Sequence, residues 1–241
     1  MPQFGTSKAK TKLDPRLIAD LPPFASLSLT EVSNIVDQAS VKTVRSGEMF
    51  FMEGENATHF FLLLDGYVRV VRITEHGEQI VALHIPSGQL FGIAKALART
   101  TYPATAEAAS ECLALCWPTS LWDQFGTDYP SFLTETYRSV GKRVGEMNDR
   151  IVEMATLHVE QRIANALLRL VNQAGKATHE GVEIDFPITR QDVSEMTGTT
   201  LHTVSRLLST WESEGIVSSR RKKIVVTQPH LLMERASASH Q

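Results

Sequence analysis

A heptad of apolar residues near the middle of the chain is the strongest periodic pattern in the sequence. Its apolar side chains are separated by four and three residues in turn, with charged residues between them. A period of 3.5 residues is typical of a helix that packs along another helix. We predict a helix over residues 129–156 that pairs with the same helix of a second subunit, the alternative being that it packs on its own β-domain. The residues of this dimer seam are Leu133, Tyr137, Val140, Val144, Met147, Ile151 and Met154.

The segment upstream of this helix has the pattern of a β-domain. Between residues 41 and 118, short apolar stretches are divided by turn residues such as Asp65-Gly66. Strands that recur at about 8 to 12 residues are typical of a barrel or a sandwich. We assign the β-domain to residues 24–128 and predict a hairpin hinged at Gly66. Residues 1–23 are polar and end in two prolines, so we interpret them as a flexible arm.

Two short helices separated by a glycine turn are predicted downstream. Thr189 is suited to cap the first helix, because Asp192 three residues later completes a capping box. Gly198 is free to adopt the left-handed conformation of a turn, and Thr200 is suited to cap a second helix that begins at Leu201. This spacing predicts a helix-turn-helix.

The second of these helices has a polar face suited to reading DNA bases. His202, Ser205 and Arg206 share one face, opposite an apolar face that includes Val204 and Leu208. An arginine there can present its guanidinium group to the O6 and N7 atoms of guanine, and the other two side chains can hydrogen-bond to neighbouring bases. We predict that these three residues, the reading face, contact base edges.

Four positive charges lie beyond the second helix, between two short apolar stretches. These stretches, residues 215–219 and 224–226, predict a two-stranded wing whose basic tip suits phosphate oxygens. The alternative is a solvated charge cluster on a small helical domain. We predict a winged helix-turn-helix over residues 157–230 and a tail over residues 231–241. The predicted contacts to the DNA backbone are Thr189, Arg190, Thr200, Thr203, Arg220, Arg221, Lys222 and Lys223.

Composition and missing motifs limit the other classes of function. The net charge of −3 does not itself favour nucleic acid, so the DNA argument depends on where the charges lie. No apolar run approaches the ~20 residues of a membrane span, and no export signal is found, so we expect a cytoplasmic protein without membrane contact. The sequence has no dinucleotide-binding, Walker, nucleophile-elbow or zinc-type cysteine motif, so we expect no enzyme. The sequence does not decide whether the protein binds a metal ion.

The order of these parts resembles the Crp/Fnr superfamily of bacterial transcription regulators, from about residue 24 to residue 228. The resemblance implies an α+β fold with an N-terminal β-roll, a double-stranded β-helix of the cyclic-nucleotide-binding type, followed by a dimerisation helix and a winged helix-turn-helix. It also implies a homodimer that binds palindromic promoter DNA and contacts RNA polymerase as an activator. The matching stretches are 45–48, 54–55, 64–70, 91–92, 189–192 and 203–208.

The β-domain departs from the pattern that the resemblance implies for cyclic AMP. Ile93 follows Gly92 where cyclic-AMP-binding members carry a glutamate, and Tyr102-Pro103 replaces their Arg-Ser pair. Without that carboxylate and guanidinium group, we expect no binding of cyclic AMP. We assign Gly92, Ile93, Tyr102 and Pro103 to an effector pocket whose ligand is unknown.

The two cysteines, Cys112 and Cys116, do not match an oxygen-sensing iron–sulfur protein. Such a cluster needs four soft ligands, and residues 1–111 contain no cysteine, so we expect no iron–sulfur cluster. The two residues alternate onto one face of a predicted strand. We therefore predict buried, reduced thiols, with redox sensing as the alternative.

Two stretches make the chain most similar to the NnrR group of denitrification regulators, and also similar to the Dnr group. They are His202–Arg206 in the second helix and Tyr102–Ala106 in the β-domain. The resemblance implies a response to nitric oxide, control of nitrogen-oxide genes, and haem as a cofactor to be considered. No spacing singles out a haem ligand among His59, His76, His84 and His158. The alternative is a regulator that responds to redox state or needs no effector.

Overall fold

A computed structural model describes residues 13–237, and these residues divide into two compact units. The first unit comprises the residues up to Val68 together with Ile85–Arg143, and the second comprises Arg69–His84 together with the residues from Val144 onward. This division differs from the predicted domain limits. It cuts the long helix and assigns the segment Arg69–His84 to the same unit as the helix-turn-helix.

Eight strands make up the β-domain that the turn spacing predicts. They are β1 (Ser40–Val44), β2 (Met49–Phe51), β3 (His59–Asp65), β4 (Tyr67–Ile73), β5 (Gln79–Pro86), β6 (Leu90–Phe91), β7 (Thr105–Ala108) and β8 (Cys112–Pro118). One sheet has the order β1-β8-β3-β6, and the other has the order β2-β7-β4-β5. The sheets are built by pairing of strands distant in sequence, as β1 with β8.

The core of the first unit joins the first sheet to the helices α1 (Leu29–Val36) and α2 (Trp122–Asp128). Its centre is aromatic: the rings of Phe60 and Trp117 stack with centroids 5.4 Å apart. The Nε1 atom of Trp117 donates a hydrogen bond of 2.8 Å to the carbonyl of Ile35, which fixes α1 against the sheet. Helix α1 was not predicted, although the capping box that begins it at Ser28 is visible in the sequence.

The predicted flexible arm is wrong for its described part, residues 13–23. Pro15–Leu17 form a short 3-10 helix, and Ile18 is buried in the core of the first unit. Leu13 and Leu21 pack against the same core. Three apolar side chains within nine residues are enough to dock this segment on the core. The prediction missed them because it judged residues 1–23 by their mostly polar composition. Residues 1–12 of the predicted arm lie outside the described residues.

The predicted hairpin at Gly66 is also wrong, because β3 and β4 belong to different sheets. Gly66 has a φ of +91°, and a Cβ atom there would lie 2.3 Å from the carbonyl oxygen of Glu111. The chain therefore passes from one sheet to the other at this glycine. A hairpin and a crossover between sheets both place an apolar strand on each side of a glycine, so the sequence pattern does not distinguish them.

Replacing Gly66 by alanine should strongly destabilise the fold, since the new methyl group meets backbone and the left-handed φ becomes strained. Gly77→Ala is the matched control, because Gly77 has a φ of +80° with no heavy atom within 4 Å of its Cβ position. We expect Gly66→Ala to lower the free energy of unfolding by about 2 kcal/mol more than Gly77→Ala. Urea unfolding followed by circular dichroism measures both. Equal losses would contradict the steric role of Gly66.

The second unit contains the predicted winged helix-turn-helix and two strands that were not predicted. Its elements after the long helix are α4 (Val159–Ala174), β9 (Gly175–Ala177), β10 (Val182–Ile184), α5 (Arg190–Thr197), α6 (Leu201–Ser213), β11 (Val217–Arg220), β12 (Lys223–Val226) and α7 (Pro229–Ser237). The strands form one sheet of order β11-β12-β10-β9. Residues 231–237 of the predicted tail belong to α7 and bury Leu232, so that prediction is wrong there.

The long helix α3 (Pro130–Thr156) matches the predicted span to within one residue at its start. Its seam is divided. Leu133 and Val140 pack against the core of the first unit, as the alternative predicted. The rest of the seam is exposed to solvent: Tyr137 49%, Val144 60%, Met147 43%, Ile151 65% and Met154 42%. No helix between residues 13 and 237 is both long and apolar enough to cross a membrane.

Candidate nucleic-acid interface

Helix α5 begins at the predicted capping box. The Oδ2 atom of Asp192 accepts hydrogen bonds from the backbone N–H of Thr189 at 2.7 Å and from its hydroxyl at 2.6 Å. The backbone N–H of Asp192 in turn donates to the Thr189 hydroxyl at 3.1 Å. Gly198 ends the helix with a φ of +59°, as predicted. These bonds satisfy backbone donors at the helix start and fix where the turn falls.

Helix α6 begins at Thr200, whose hydroxyl accepts a hydrogen bond of 3.1 Å from the backbone N–H of Thr203. The hydroxyls of Thr200 and Thr203 also lie 3.0 Å apart, within hydrogen-bond distance. Two of the three threonines predicted to contact the DNA backbone, Thr200 and Thr203, therefore lie at the start of α6. One hydroxyl proton of this pair stays available for an outside acceptor, since only one of them is used between the two.

The two faces of α6 are divided as predicted. Val204, Leu207, Leu208 and Trp211 are buried, and Trp211 Nε1 donates a hydrogen bond of 3.4 Å to Glu160 of α4. On the reading face, His202 and Arg206 are exposed and Ser205 is half-buried. The apolar face therefore fixes the rotation of α6, and the three polar side chains are presented to solvent.

The guanidinium group of Arg190, which we predicted to contact the DNA backbone, is bonded to side chains of its own unit. Its Nη2 atom donates to both carboxylate oxygens of Glu212 at 3.2 Å and to the hydroxyl of Ser219 at 3.1 Å. Its Nη1 atom lies 3.4 Å from the hydroxyl of Ser209. Arg190 thus links α5, α6 and β11. This structural role was missed, and its predicted contact with DNA stays a prediction.

The wing is a hairpin of β11 and β12, with Arg220 opposite Lys223 and a tight turn at Arg221 and Lys222. Lys222 adopts a φ of +60°, and its carbonyl accepts a hydrogen bond of 3.0 Å from the N–H of Ile188, which ties the turn to the segment before α5. Two of the four predicted charges are paired inside the unit. Arg220 donates to Glu180 at 2.9 Å and Lys223 donates to Glu183 at 2.7 Å.

A cavity of about 350 Å³ opens between the wing turn and the start of α5. Its walls bring the cationic side chains of the wing turn together near the start of α5, which is a favourable environment for an oxyanion. A phosphate group matches this chemistry in charge and in hydrogen-bond acceptors. The lining residues are Ile188, Thr189, Arg190, Ser219, Arg220, Arg221, Lys222 and Ile224.

The predicted effector residues lie in the first unit, and two of the four, Ile93 and Tyr102, are buried there. Tyr102 is 4% exposed and stacks on Phe51 with ring centroids 3.7 Å apart, and its hydroxyl donates to the carbonyl of His59 at 2.7 Å. Ile93 is buried. A Cβ atom at Gly92 would lie 3.0 Å from the Phe61 ring. Gly92 and Pro103 are half-buried.

One cation lies close to this aromatic cluster. The Nζ atom of Lys42 donates a hydrogen bond of 3.2 Å to the carbonyl of Phe50 and lies 5.3 Å from the centroid of the Phe61 ring. Burial lowers the pKa of Lys42 below its ordinary value. Sequence reasoning missed this lysine, because an alternating strand gives no sign of which polar residue points inward.

Both cysteines are buried, as predicted, and neither forms a disulfide. Burial raises the pKa of the Cys112 thiol and of the Cys116 thiol. Because the thiolate is the reactive form, both residues are poorly suited to oxidation at neutral pH. Between residues 13 and 237, no group of three or more His, Cys, Asp or Glu side chains is arranged to hold a metal ion.

Among the four histidines considered, His84 in the second unit has the most altered environment. Its ring lies 5.2 Å from that of Phe186, centroid to centroid. Burial lowers the pKa of His84 from 6.5 to about 4, partly opposed by the negative charge of Asp192 and reinforced by Arg150 and Arg69. His84 is therefore neutral in the folded protein at neutral pH.

The lowered pKa of His84 should make the fold less stable in mild acid. Between pH 6.5 and 4 the unfolded chain binds a proton at this residue that the folded chain does not, so stability falls as pH falls through that window. At pH 5 we expect a loss of about 2 kcal/mol relative to pH 7 from this residue. Urea unfolding at both pH values should show that loss in the wild type and in His76→Gln, which alters an exposed turn histidine. The loss should be absent in His84→Gln, and an identical pH dependence there would contradict the assignment.

Two family models match the chain, one in each part of the predicted architecture. The cyclic nucleotide-binding domain matches residues 41–129, and the Crp-like helix-turn-helix domain matches residues 161–235. These two domains together support a transcription regulator of the Crp/Fnr type. The predicted α+β fold, with a cyclic-nucleotide-binding β-domain and a C-terminal helix-turn-helix, is confirmed.

Relatives match the chain along most of its length. The electron transport regulator A of Shewanella oneidensis is 24% identical over 205 residues, which are 85% of this chain and 80% of that protein. The fumarate and nitrate reduction regulatory protein of Vibrio cholerae is 25% identical over 212 residues, which are 88% of this chain and 83% of that protein. The structure of FixK2 from Bradyrhizobium japonicum shares the fold with a TM-score of 0.73 at 21% identity, covering 84% of this chain and 99% of that chain.

Proposed function

We propose that this Crp/Fnr regulator acts as a homodimer that binds palindromic promoter DNA and reads bases with His202, Ser205 and Arg206. The observation that carries the proposal is the division of α6, whose apolar face is buried while the reading face is presented to solvent beside a basic wing. A helix presented in this way fits the major groove of DNA. RNA polymerase is the partner that we propose at the promoter.

The cavity between the wing turn and α5 supports the proposed contacts to the DNA backbone. Arg221 and Lys222 lie at the turn, and no ion pair is found for either within the described chain. They are the strongest candidates for phosphate contacts, because Arg220 and Lys223 already pair with glutamates. Thr200 and Thr203 add hydroxyl groups at the start of α6, where anions are favoured. The hydroxyl proton of Thr189 is already donated to Asp192, so the contact of Thr189 with DNA stays a prediction.

The exposed part of the α3 seam supports the homodimer. Val144 and Ile151 are 60% and 65% exposed, and Met147 between them is 43% exposed. Side chains of this kind at heptad positions lose solvent contact when two such helices pair. A twofold dimer places two copies of α6 on two half-sites, and half-sites about one DNA turn apart give a palindrome.

We propose nitric oxide as the effector and nitrogen-oxide genes as the targets. The support is the similarity of His202–Arg206 and Tyr102–Ala106 to the NnrR and Dnr groups. Relatives named as anaerobic, electron transport, and fumarate and nitrate reduction regulators agree with this proposal in part, since nitrate is itself a nitrogen oxide. A regulator that needs no effector, or that responds to redox state, is the alternative. The buried cysteines with raised pKa count against the redox version.

The residues present do not fit haem as they are packed. Ile93 and Tyr102 are buried in the interior of the first unit, so a porphyrin there would have to displace them. The ring of His59 lies 3.0 Å from the Thr58 hydroxyl, and burial lowers its pKa. A cyclic nucleotide fits no better, because Lys42, the cation near these rings, already bonds to the Phe50 carbonyl. We therefore propose nitric oxide sensing without assigning a cofactor.

Selection of binding sites from a pool of random duplexes tests the proposed function. We expect the selected sequences to share a palindrome whose half-sites contain a guanine contacted by Arg206. Footprinting with and without nitric oxide then separates an effector-dependent regulator from a constitutive one. Selection of no common sequence in either condition would contradict the proposal.

A further inference from the structure

Helix α5 contacts the β4–β5 hairpin of its own unit through the face that lies away from α6. Asp192, Glu195 and Met196 are spaced at i, i+3 and i+4, so they share one side of the helix. Each of the three bonds to a residue outside the helix-turn-helix. We call these bonds the hairpin contact.

The first part of the hairpin contact is the ion pair between Arg69 of β4 and Asp192. Arg69 Nη1 donates to the Oδ1 atom of Asp192, while Oδ2 of the same carboxylate receives the two hydrogen bonds from Thr189. Asp192 is only 6% exposed. A charge-assisted bond at a site with so little solvent is stronger than a surface ion pair. Asp192 therefore holds the start of α5 to Arg69 as well as capping the helix.

The second part lies at the other end of α5 and is made by Arg150 of α3. Its Nη2 atom donates to the carbonyl of Met196 at 2.8 Å and to that of Val81 at 3.1 Å, and its Nη1 atom donates to the carbonyl of Ala82. One guanidinium group thus joins the end of α5 to β5. The Nε2 atom of Gln79 adds a bond of 3.1 Å to Glu195.

The bonds continue from α5 to the reading face. Arg190, the first residue of α5, bonds to Glu212 and Ser209 of α6, and the turn at Gly198 fixes the angle between the two helices. The reading face itself is not covered, since His202 and Arg206 are exposed. The hairpin contact therefore acts on the orientation of α6 and leaves its accessibility unchanged.

We propose that Arg69 and Arg150 are positioning residues for DNA binding, which fasten α5 to the β4–β5 hairpin and so set the angle at which α6 meets DNA. The proposal rests on the proposed reading of DNA by α6. A dimer must place two reading helices on two half-sites at once. If each helix-turn-helix is loosely held, its orientation has to be fixed during binding, and this costs binding free energy.

The test compares binding to a full palindrome with binding to a duplex that carries one half-site. Arg69→Gln should weaken binding to the palindrome about tenfold and binding to the half-site less than twofold, because orientation matters only when both sites are engaged. Arg69→Lys, which keeps the charge, should recover most of the palindrome affinity. Arg45→Gln removes an exposed arginine of the first unit as a control and should match the wild type. Gln79→Ala removes one bond without leaving a buried charge, and it should act in the same direction with a smaller effect.

Hydrogen exchange provides a readout that does not depend on DNA. The amides of α5 should exchange faster in Arg69→Gln than in the wild type, with little change in α1 of the first unit. If the wild type binds no duplex, the proposed function fails while exchange still tests the hairpin contact. Equal losses on the palindrome and the half-site would overturn the positioning role and assign Arg69 to the stability of the helix-turn-helix. Unchanged binding together with unchanged exchange would overturn the proposal as well.

Discussion

Val144→Glu should convert the proposed homodimer into a monomer of 26.7 kDa. Val144 is 60% exposed, so a glutamate there costs the single chain little. In the paired helices the residue lies at the seam, where two carboxylates would face each other and lose water. Burial of unpaired like charges costs several kcal/mol. This cost exceeds what the apolar contacts of one heptad contribute to the free energy of dimerisation. Analytical ultracentrifugation measures the mass directly.

The matched control for this prediction is Val152→Glu. Val152 is on the same helix and 52% exposed, but it lies outside the heptad positions of the seam. This variant should remain a dimer and keep its affinity for the palindrome. Val144→Glu should lose at least about a hundredfold in that affinity, because its two half-site contacts are no longer linked. A dimer mass for Val144→Glu would show that the subunits pair through another surface.

The helix-turn-helix could be predicted because its determinants are local. Thr189 with Asp192, Gly198 and Thr200 fix the helix ends within a few residues of chain, and the structure has each of them in the predicted role. The apolar face of α6 follows from the helical period alone. The reading face follows in turn, since it is what remains when Val204 and its partners are buried.

Contacts between distant parts of the chain could not be predicted in this way. Asp192 was recognised as a cap, but its ion pair with Arg69 joins residues that lie 123 positions apart. Glu180 and Glu183 each pair with a wing residue 40 positions away, which reduces the basic tip from four charges to two. The hairpin predicted at Gly66 was wrong for the same reason. The close approach that requires a glycine there comes from the carbonyl of Glu111, which is distant in sequence. Local pattern cannot choose among partners that only the fold brings together.

Arg206→Ala should weaken binding to the selected palindrome by ~1 to 3 kcal/mol for each half-site and relax the preference for guanine at the contacted position. Arg206 is exposed, and its side chain takes no part in the buried face of α6, so the fold should be unaffected. The loss arises because the O6 and N7 atoms of guanine would give up a bidentate donor. Titrations of palindromes that carry each of the four bases at this position measure both effects.

Lys222→Ala separates base reading from general attraction to DNA. Lys222 lies at the wing turn and lines the cavity between that turn and α5, so its loss should weaken binding to all duplexes by a similar factor. The slope of log affinity against log salt should also fall by about 1, as expected for one lost phosphate contact. Arg206→Ala should instead change the ranking of sequences. If Arg206→Ala keeps the full preference for the palindrome over random duplex, the residues that read the bases lie elsewhere on the helix-turn-helix.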